Sequence, residues 1–344
     1  MKNRLILSLL GSLLIVSGCS DQQQSAEQTA ESSAKEVVVY SARAEHLIKP
    51  LFDEFTQQTG ITVKFQTGNA NALVERLKAE GTNSPADILM TVDAGNLWYA
   101  ADQGLFQPMQ SKVIETNIPP HLRDPEMLWT GLSVRARTIV YHTDRVKPAD
   151  LSSYEALADD QWKGRLCLRN SGSVYNKSLI AAFIAHHGET QTETFVKGWV
   201  GNLAAKPQAK DSQVMEAILA GQCDVGIVNT YYFGALQEKM PDMPLKLFWA
   251  NQDSTGTHIN VSGAGILKNA PHKNAALTLI EWLSEKPAQQ IYGALNKEYP
   301  ANLDVTLDQQ VESWGAFQQD LLNLKKAGEY QQAATMLVNR AGYE

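Results

Sequence analysis

Tyrosine side chains occur at two points where a predicted strand gives way to a predicted helix. Tyr231 and Tyr232 follow the apolar run 224–228, and Asn229 is suited to cap the helix that begins there. Tyr175 occupies the corresponding place after another predicted strand. Open α/β sheets bind their ligands at such strand ends. We therefore expect the three phenols to meet on one rim, although a Tyr-Tyr pair taken alone is more often half-buried packing.

The turn before Tyr175 has the composition of an anion site. Ser171, Gly172 and Ser173 lie between the predicted strand 165–169 and a helix that begins near Tyr175. Such a turn presents unpaired backbone N–H groups and hydroxyls at a helix N-terminus, where an anion is stabilised. The alternative is that Ser173 serves only as the N-cap of this helix.

Three phenolates together favour one kind of metal. Phenol has a pKa of about 10, so only a strongly acidic cation keeps it ionised at neutral pH. Ferric iron meets this demand, and three phenolates cancel its charge. A carbonate-like anion would then need the turn and an arginine to balance it. Arg135 and Arg137 lie near the start of a predicted strand and are candidates, unless they are solvated charges at a strand edge.

The elements that position these residues follow an α/β pattern. From Glu36 onward, short apolar runs alternate with amphipathic stretches at short loop lengths, which predicts mainly parallel strands covered by helices. A second such pattern begins after the loop 117–126. The chain of 344 residues is long enough for two domains with separate cores. We predict strands at 37–40, 61–65, 86–90, 137–141, 165–169, 224–228, 245–250 and 259–267.

The first residues predict export. Lys2 and Arg4 precede an apolar segment, 5–16, that is too short to span a bilayer. The segment ends in Val-Ser-Gly-Cys19, which resembles the lipobox of bacterial lipoproteins and implies cleavage before Cys19 and acylation of its thiol. We expect residues 1–18 to be a lipoprotein signal peptide and residues 19–35, rich in Gln, Ser, Ala and Glu, to be a disordered tether.

The net charge and the two remaining cysteines indicate which partners and which covalent links to expect. The net charge of −7, without a basic run, argues against nucleic acid as a partner. Cys167 and Cys223 remain in an oxidising compartment, where an even pair favours a disulfide. A cysteine metal site is the alternative, but neither position has a second close ligand.

The sequence resembles the bacterial periplasmic ferric-ion-binding proteins, which are the substrate-binding components of ferric iron ABC importers. The resemblance covers nearly all of residues 36–344 and is carried by Val39-Tyr40-Ser41-Ala42-Arg43, by 131–141, by 171–176 and by Asn229-Thr230-Tyr231-Tyr232-Phe233. It implies a bilobal periplasmic-binding-protein fold with a hinge and a central ligand cleft. We expect a first lobe from 36–134 plus about 262–305 and a second lobe from 135–261 plus about 306–344.

The resemblance also implies a binding site and partners. Tyr175, Tyr231 and Tyr232 would bind Fe³⁺ together with a synergistic anion, commonly carbonate. This anion would sit on Ser171, Gly172 and Ser173, with Arg135 as its first arginine partner and Arg137 as its second. Asn229 matches a position that contacts the anion in some relatives. The partners would be an inner-membrane permease and its ATPase, and the protein would be a monomer tethered in the periplasm through Cys19.

One part of the sequence departs from the resemblance, and two other functions remain open. Ala44 stands where several relatives place a histidine ligand from the first lobe, and Glu45 and His46 are shifted from it.

One alternative function is capture of an organic or phosphorus anion on the turn 171–173. The other is an exported hydrolase, although the chain lacks the Gly-x-Ser-x-Gly, His-Glu-x-x-His and P-loop motifs. We therefore expect a binding protein and not an enzyme.

Overall fold

The computed structural model describes residues 36–344. The predicted signal peptide, the predicted tether and Cys19 lie outside these residues. Within 36–344, every helix is too short or too polar to cross a bilayer.

The first part of the chain alternates strands and helices. Val37 and Val39 are buried on one face of the first strand, and the first helix contributes Ile48, Leu51 and Phe55 to the same core. The elements, in chain order, are β1 (Glu36–Ser41), α1 (Glu45–Thr59), β2 (Thr62–Thr67), α2 (Ala70–Glu80), β3 (Ile88–Thr91), α3 (Ala94–Asp102) and α4 (Lys112–Asn117).

A long strand opens the second part, and helices predominate toward the C-terminus. The elements are β4 (Thr130–His142), β5 (Leu166–Cys167), α5 (Val174–Gly201), α6 (Asp211–Leu219), β6 (Val225–Asn229), α7 (Thr230–Lys239), β7 (Leu245–Phe248), β8 (Ile259–Ile266), α8 (Lys273–Ser284), α9 (Lys286–Asn296), β9 (Tyr299–Pro300), α10 (Gln309–Glu312), α11 (Lys325–Glu329) and α12 (Gln331–Arg340). Short 3₁₀ turns occupy Gly81–Asn83, Pro120–Leu122, Pro148–Asp150, Glu155–Ala158 and Asp160–Trp162.

Strand β4 connects two sets of strands. Its residues 130–136 pair with β8, which continues the sheet to β3, β1 and β2. From Arg137 onward it pairs with β6 and, on its other edge, with β7. The predicted parallel pairing holds for β1 with β2 and β3 and for β5 with β6, whereas every pairing of β4 and β8 is antiparallel.

Separate hydrophobic cores lie on the two sides of this strand. One contains side chains from 37–136 and from 259–324. The others contain side chains from 139–250 and from 334–343. Val311 and Leu324 pack in the first core, beyond the boundary predicted near residue 306. The mixed α/β sheet and the separate cores agree with the predicted α/β fold of two lobes.

Several predicted elements differ in extent from the observed ones. The strand predicted at 137–141 is longer in the structure and begins at Thr130. Its first part was not predicted because Ser133, Arg135 and Arg137 interrupt the apolar pattern, although all three are buried. The helix predicted to begin near Tyr175 begins at Val174 and continues to Gly201 across a break at Gly188, whose φ of 78° is left-handed.

The predicted cysteine pair is bridged in the structure. Cys167 in β5 and Cys223, just before β6, form a disulfide with their Cα atoms 5.9 Å apart. Both side chains are buried, and the bridge joins neighbouring parallel strands of the second lobe.

Candidate metal centre

A cavity of about 420 Å³ lies between the two lobes. It is lined from the second lobe by all three predicted tyrosines, from the crossing strand β4 by Arg135, and from the first lobe by residues of two chain segments. The lining residues that carry polar side chains are Arg43, Arg135, Tyr175, Tyr231, Tyr232, Glu238, Ser262, Asn296, Lys297 and Glu298.

Tyr231 and Tyr232 occupy the first turn of α7, directly after the buried strand β6. Asn229 is the N-cap residue in extended conformation, but its side chain does not bond to the helix backbone. Its amide donates instead to the Tyr231 hydroxyl at 3.3 Å. The two phenol rings lie 4.4 Å apart between centres, and both side chains line the cavity.

Tyr175 comes from a different helix, at the start of α5. The guanidinium carbon of Arg135 lies 5.3 Å from the centre of its ring, and that of Arg169 lies 5.1 Å away. Two cations therefore stand against a ring whose hydroxyl would carry negative charge when it binds a metal.

The neighbourhood of Tyr231 holds its hydroxyl in the protonated form. Removal from bulk water, followed by the nearby phenols of Tyr175 and Tyr232, raises the pKa of Tyr231 well above its ordinary value. Arg135 acts in the opposite direction. The Tyr231 phenol is thus stable as a neutral group, and a cation strong enough to displace its proton is needed to ionise it.

Arg137 lies outside the cavity, contrary to its expected place beside the anion. Its guanidinium forms a buried ion pair with Asp211 at 2.9 Å and donates to the side-chain oxygens of Asn176 and Asn229. Asp211 also accepts from the backbone of Asn229 at 2.8 Å. Arg137 therefore fixes the residues behind the tyrosines and is not free to contact a ligand.

The predicted anion turn also lies behind the cavity lining. The amide of Ser171 donates to the carbonyl of Glu344, and the amide of Ser173 donates to the carbonyl of Asn170. Ser171, Gly172 and Ser173 are not among the lining residues. Ser173 does occupy the N-cap position of α5, and its buried hydroxyl has no partner within the described protein.

The first-lobe wall of the cavity contains a charged network that the sequence did not predict. Arg43 is buried and pairs with Glu298 at 3.1 Å. It also donates to Ser133 and Ser262, and Ser262 accepts from Arg135 at 3.3 Å. Arg43 is part of the segment that carries the resemblance, but only the structure shows that it forms this ion pair in the cavity wall.

The residues near the position of the expected histidine differ in their relation to the cavity. Ala44 lines the cavity, whereas Glu45 and His46 are exposed and lie outside it. Across residues 36–344, moreover, no group of three or more His, Cys, Asp or Glu side chains is arranged to hold a metal ion. The tyrosine cluster is consequently the candidate metal centre of the described protein.

Arg169 is a further residue that sequence reasoning missed. It lies between Tyr175 and Asp211, with 3.6 Å between its guanidinium and that carboxylate. Burial opposes ionisation, but the charge of Asp211, followed by contact with Tyr232, raises the pKa of Arg169 overall. The sequence could have indicated this residue, because Arg169 ends the predicted strand 165–169 directly before the turn that leads to Tyr175.

Comparisons with known proteins place this cleft in a family. Residues 50–319 match the family described as bacterial extracellular solute-binding protein. Iron uptake protein A1 from Synechocystis is 40% identical over 100% of this chain and 99% of its own length. A Trichodesmium protein (IdiA, FutA), solved in complex with iron and citrate ligands, is 40% identical with a TM-score of 0.87, covering 90% of this chain and 100% of its own.

A second solved relative is in an open conformation. Ferric iron-binding protein A from Mannheimia haemolytica, in an open conformation, is 38% identical with a TM-score of 0.85, and covers 90% of this chain and 99% of its own. The chain belongs to the bacterial extracellular solute-binding proteins, among relatives that are iron uptake and ferric-ion-binding proteins, as the resemblance implied.

Proposed function

We propose that this protein is the substrate-binding component of a ferric iron ABC importer and that Tyr175, Tyr231 and Tyr232 bind Fe³⁺ as phenolates. The observation that carries the proposal is that three phenols from the starts of α5 and α7 meet arginine side chains in one cavity between the lobes. Relatives named for ferric iron binding and iron uptake support it. The protein binds and releases its cargo and catalyses no reaction.

The donor set suits ferric iron better than other metals. Phenolate oxygen is a hard donor, and three phenolates neutralise a trivalent cation. Fe²⁺, Ca²⁺ and Mg²⁺ are weaker acids and leave a buried phenol with a raised pKa protonated. The raised pKa of Tyr231 therefore favours Fe³⁺ over these weaker cations, and it keeps the Tyr231 phenol neutral in the iron-free state.

The synergistic anion is proposed to bind beside Arg135. The Nε atom of this arginine is buried without a partner, and its Nη1 reaches only Ser262, so donors remain for an oxyanion. Ser173 lies two residues before the lining residue Tyr175, and it is proposed as a second donor because its buried hydroxyl has no partner within the described protein. Arg137 is omitted because of its ion pair with Asp211, and Asn229 is proposed to position Tyr231 instead of contacting the anion.

Carbonate remains our first proposal for this anion, and citrate is the second. The Trichodesmium relative was solved with iron and citrate. The cavity of about 420 Å³ is much larger than Fe³⁺ and carbonate require, and Arg43 and Asn296 on its first-lobe wall have buried side-chain atoms without partners. These donors suit the additional carboxylates of a larger anion.

Delivery is proposed to follow the route that the family implies. Extracellular solute-binding proteins hand their ligand to an ABC transporter, here an inner-membrane permease and its ATPase. We propose that the protein is a periplasmic monomer anchored through acylated Cys19. Lobe opening, loss of the anion, protonation of the phenolates or reduction of the iron would each weaken binding.

Iron stoichiometry tests this function. Protein stripped of metal is incubated with ferric nitrilotriacetate in the presence of bicarbonate, of citrate or of neither, and iron is measured after gel filtration. We expect a single iron per chain, dependence on one of the two anions, and substantially less iron retained through gel filtration by Tyr231→Phe, whose affinity is weaker. Tyr141→Phe is the matched control, since Tyr141 is a buried second-lobe tyrosine outside the cavity.

The same preparation distinguishes the alternative functions. An anion-binding protein would retain phosphate or a phosphonate without iron, in a calorimetric titration of the stripped protein. A hydrolase would turn over activated esters. Either result, together with no bound iron under all three anion conditions, would contradict the proposed function.

A further inference from the structure

Helix α7 is held by both lobes, although its tyrosines belong to the second. Its side chain Gln237 accepts hydrogen bonds from Trp314 Nε1 at 2.9 Å and from Gln310 Nε2 at 3.1 Å. The same Gln310 amide donates to the backbone carbonyl of Gly234 at 3.0 Å. Three hydrogen bonds thus connect the middle of α7 to the segment 308–314.

The absence of a side chain at Gly234 permits this contact. A Cβ atom there would lie 2.9 Å from Cζ2 of Trp314 and 3.2 Å from Cβ of Lys297. The ring of Phe233 also meets Trp314 edge-on, with 6.0 Å between centres. The Trp314 ring therefore packs directly on the helix backbone, one turn after the tyrosines.

The segment that contacts α7 is fastened to the first lobe. Val311 belongs to the first-lobe core, and the Trp314 ring packs on Tyr299 with 6.3 Å between centres. Lys297, which follows α9 in that lobe, forms ion pairs at 3.4 Å with Asp308 on one side and with Glu238 of α7 on the other. Contacts to α7 therefore cross from one lobe to the other.

We propose that Gln310, Trp314 and Lys297 form a clamp on α7 that sets the position of Tyr231 and Tyr232 against the first-lobe wall. None of the three is proposed to bind the metal. The inference rests on the proposed function, since it assigns the clamp a role in retaining the bound ion. Its consequence is that first-lobe residues that do not bind the metal control how quickly the ion leaves.

Local geometry explains how the clamp acts. Tyr231 and Tyr232 lie in the first turn of α7, and Gly234 and Gln237 lie in the next turns of this ten-residue helix. A helix is stiff over such a distance, so fixing its middle fixes the direction of its first turn. Lobe opening must break the clamp before the tyrosines move away from Arg43 and Glu298.

The test compares Gln237→Leu, which removes the acceptor of two hydrogen bonds, with Gln237→Glu, which keeps an acceptor. Gln161→Leu is the matched control, because Gln161 is exposed in the second lobe and its side chain makes no hydrogen bond within the described protein. Two quantities are measured in the full chain: amide hydrogen exchange of residues 230–239 without iron, and the rate of iron transfer to excess chelator.

We expect faster exchange in α7 and release on the order of tenfold faster for Gln237→Leu, from the loss of two ordinary hydrogen bonds. Gln237→Glu and Gln161→Leu should match the parent. Unchanged exchange in 230–239 of Gln237→Leu would overturn the clamp whatever the release rate. Failure of the parent to bind iron would contradict the proposed function alone, and the exchange measurement would still decide whether the first lobe holds α7.

Discussion

The guanidinium carbon of Arg135 lies 5.3 Å from the centre of the Tyr175 ring, at the point where β4 leaves the first lobe. Two residues later, Arg137 is buried in an ion pair with Asp211. The two arginines are near neighbours in sequence but have different environments, because the partners of β4 change from β8 to β6 between them. One faces the cavity, and the other supports the protein behind it.

Arg135→Gln should weaken iron binding while the fold remains stable. Loss of a charge-assisted hydrogen bond costs about 1.5–3 kcal/mol, which corresponds to roughly a tenfold to hundredfold weaker dissociation constant for iron in the presence of the anion. Competition against a chelator of known affinity measures it. Arg165→Gln is the control, since Arg165 also stacks on an aromatic ring, Trp162 at 5.1 Å, but lies outside the cavity. Equal effects of the two variants would contradict the role of Arg135.

Arg137→Met should instead lower the free energy of unfolding. Removing Arg137 leaves the buried carboxylate of Asp211 with only the longer contact to Arg169, and loss of one partner of a buried ion pair costs up to about 3–5 kcal/mol. Denaturant unfolding of the iron-free protein measures the loss. Lys64→Met, which breaks an exposed pair with Glu36, should change stability by less than about 1 kcal/mol. A stable Arg137→Met protein with altered anion dependence would restore Arg137 as an anion ligand.

Iron binding should weaken as the pH falls. The raised pKa of Tyr231 means that its phenol is protonated in the iron-free protein at neutral pH, so binding must release that proton. If all three phenols bind, the logarithm of the apparent affinity rises by up to about three per pH unit. Titrations between mildly acidic and neutral pH, at constant free anion, measure this slope. Tyr231→Phe should reduce the slope by about one, and a pH-independent affinity would exclude phenolate ligands.

Reduction of the disulfide should destabilise the second lobe without removing the site. The bridge closes a loop with a sequence separation of 56, for which chain entropy predicts about 4 kcal/mol. Unfolding curves with and without dithiothreitol measure the difference. The double variant Cys167→Ala, Cys223→Ala should have reduced stability that no longer responds to reductant. An identical parent curve under both conditions would show that the bridge does not contribute.

The tyrosine cluster was predictable because its geometry is local. Tyr175 and Tyr231 each follow a strand and begin a helix, and these two local patterns suffice to place them on a common edge. The sequence pattern also located most strands of both lobes. The alternation of apolar and polar residues depends on near neighbours, which a single sequence displays.

The surroundings of the cluster were not predictable, because their contacts are distant in sequence. Arg137 pairs with Asp211 across 74 positions, and Arg43 pairs with Glu298 across 255. The backbone amide of Ser171, which was expected to bind the anion, donates instead to the carbonyl of Glu344. Charged residues whose partners lie so far away have the same sequence pattern as residues free to bind a ligand.

The most direct test of the metal centre is a visible absorbance titration of the stripped protein with ferric nitrilotriacetate, in bicarbonate and in citrate. Ligation by Tyr175, Tyr231 and Tyr232 predicts a red-orange charge-transfer band that saturates at one iron per chain. The band should be lost or strongly reduced when any of these tyrosines is replaced by Phe, and it should be unchanged in Tyr141→Phe. A parent protein that binds iron without a visible band, or a band that survives all three replacements, would contradict tyrosinate ligation.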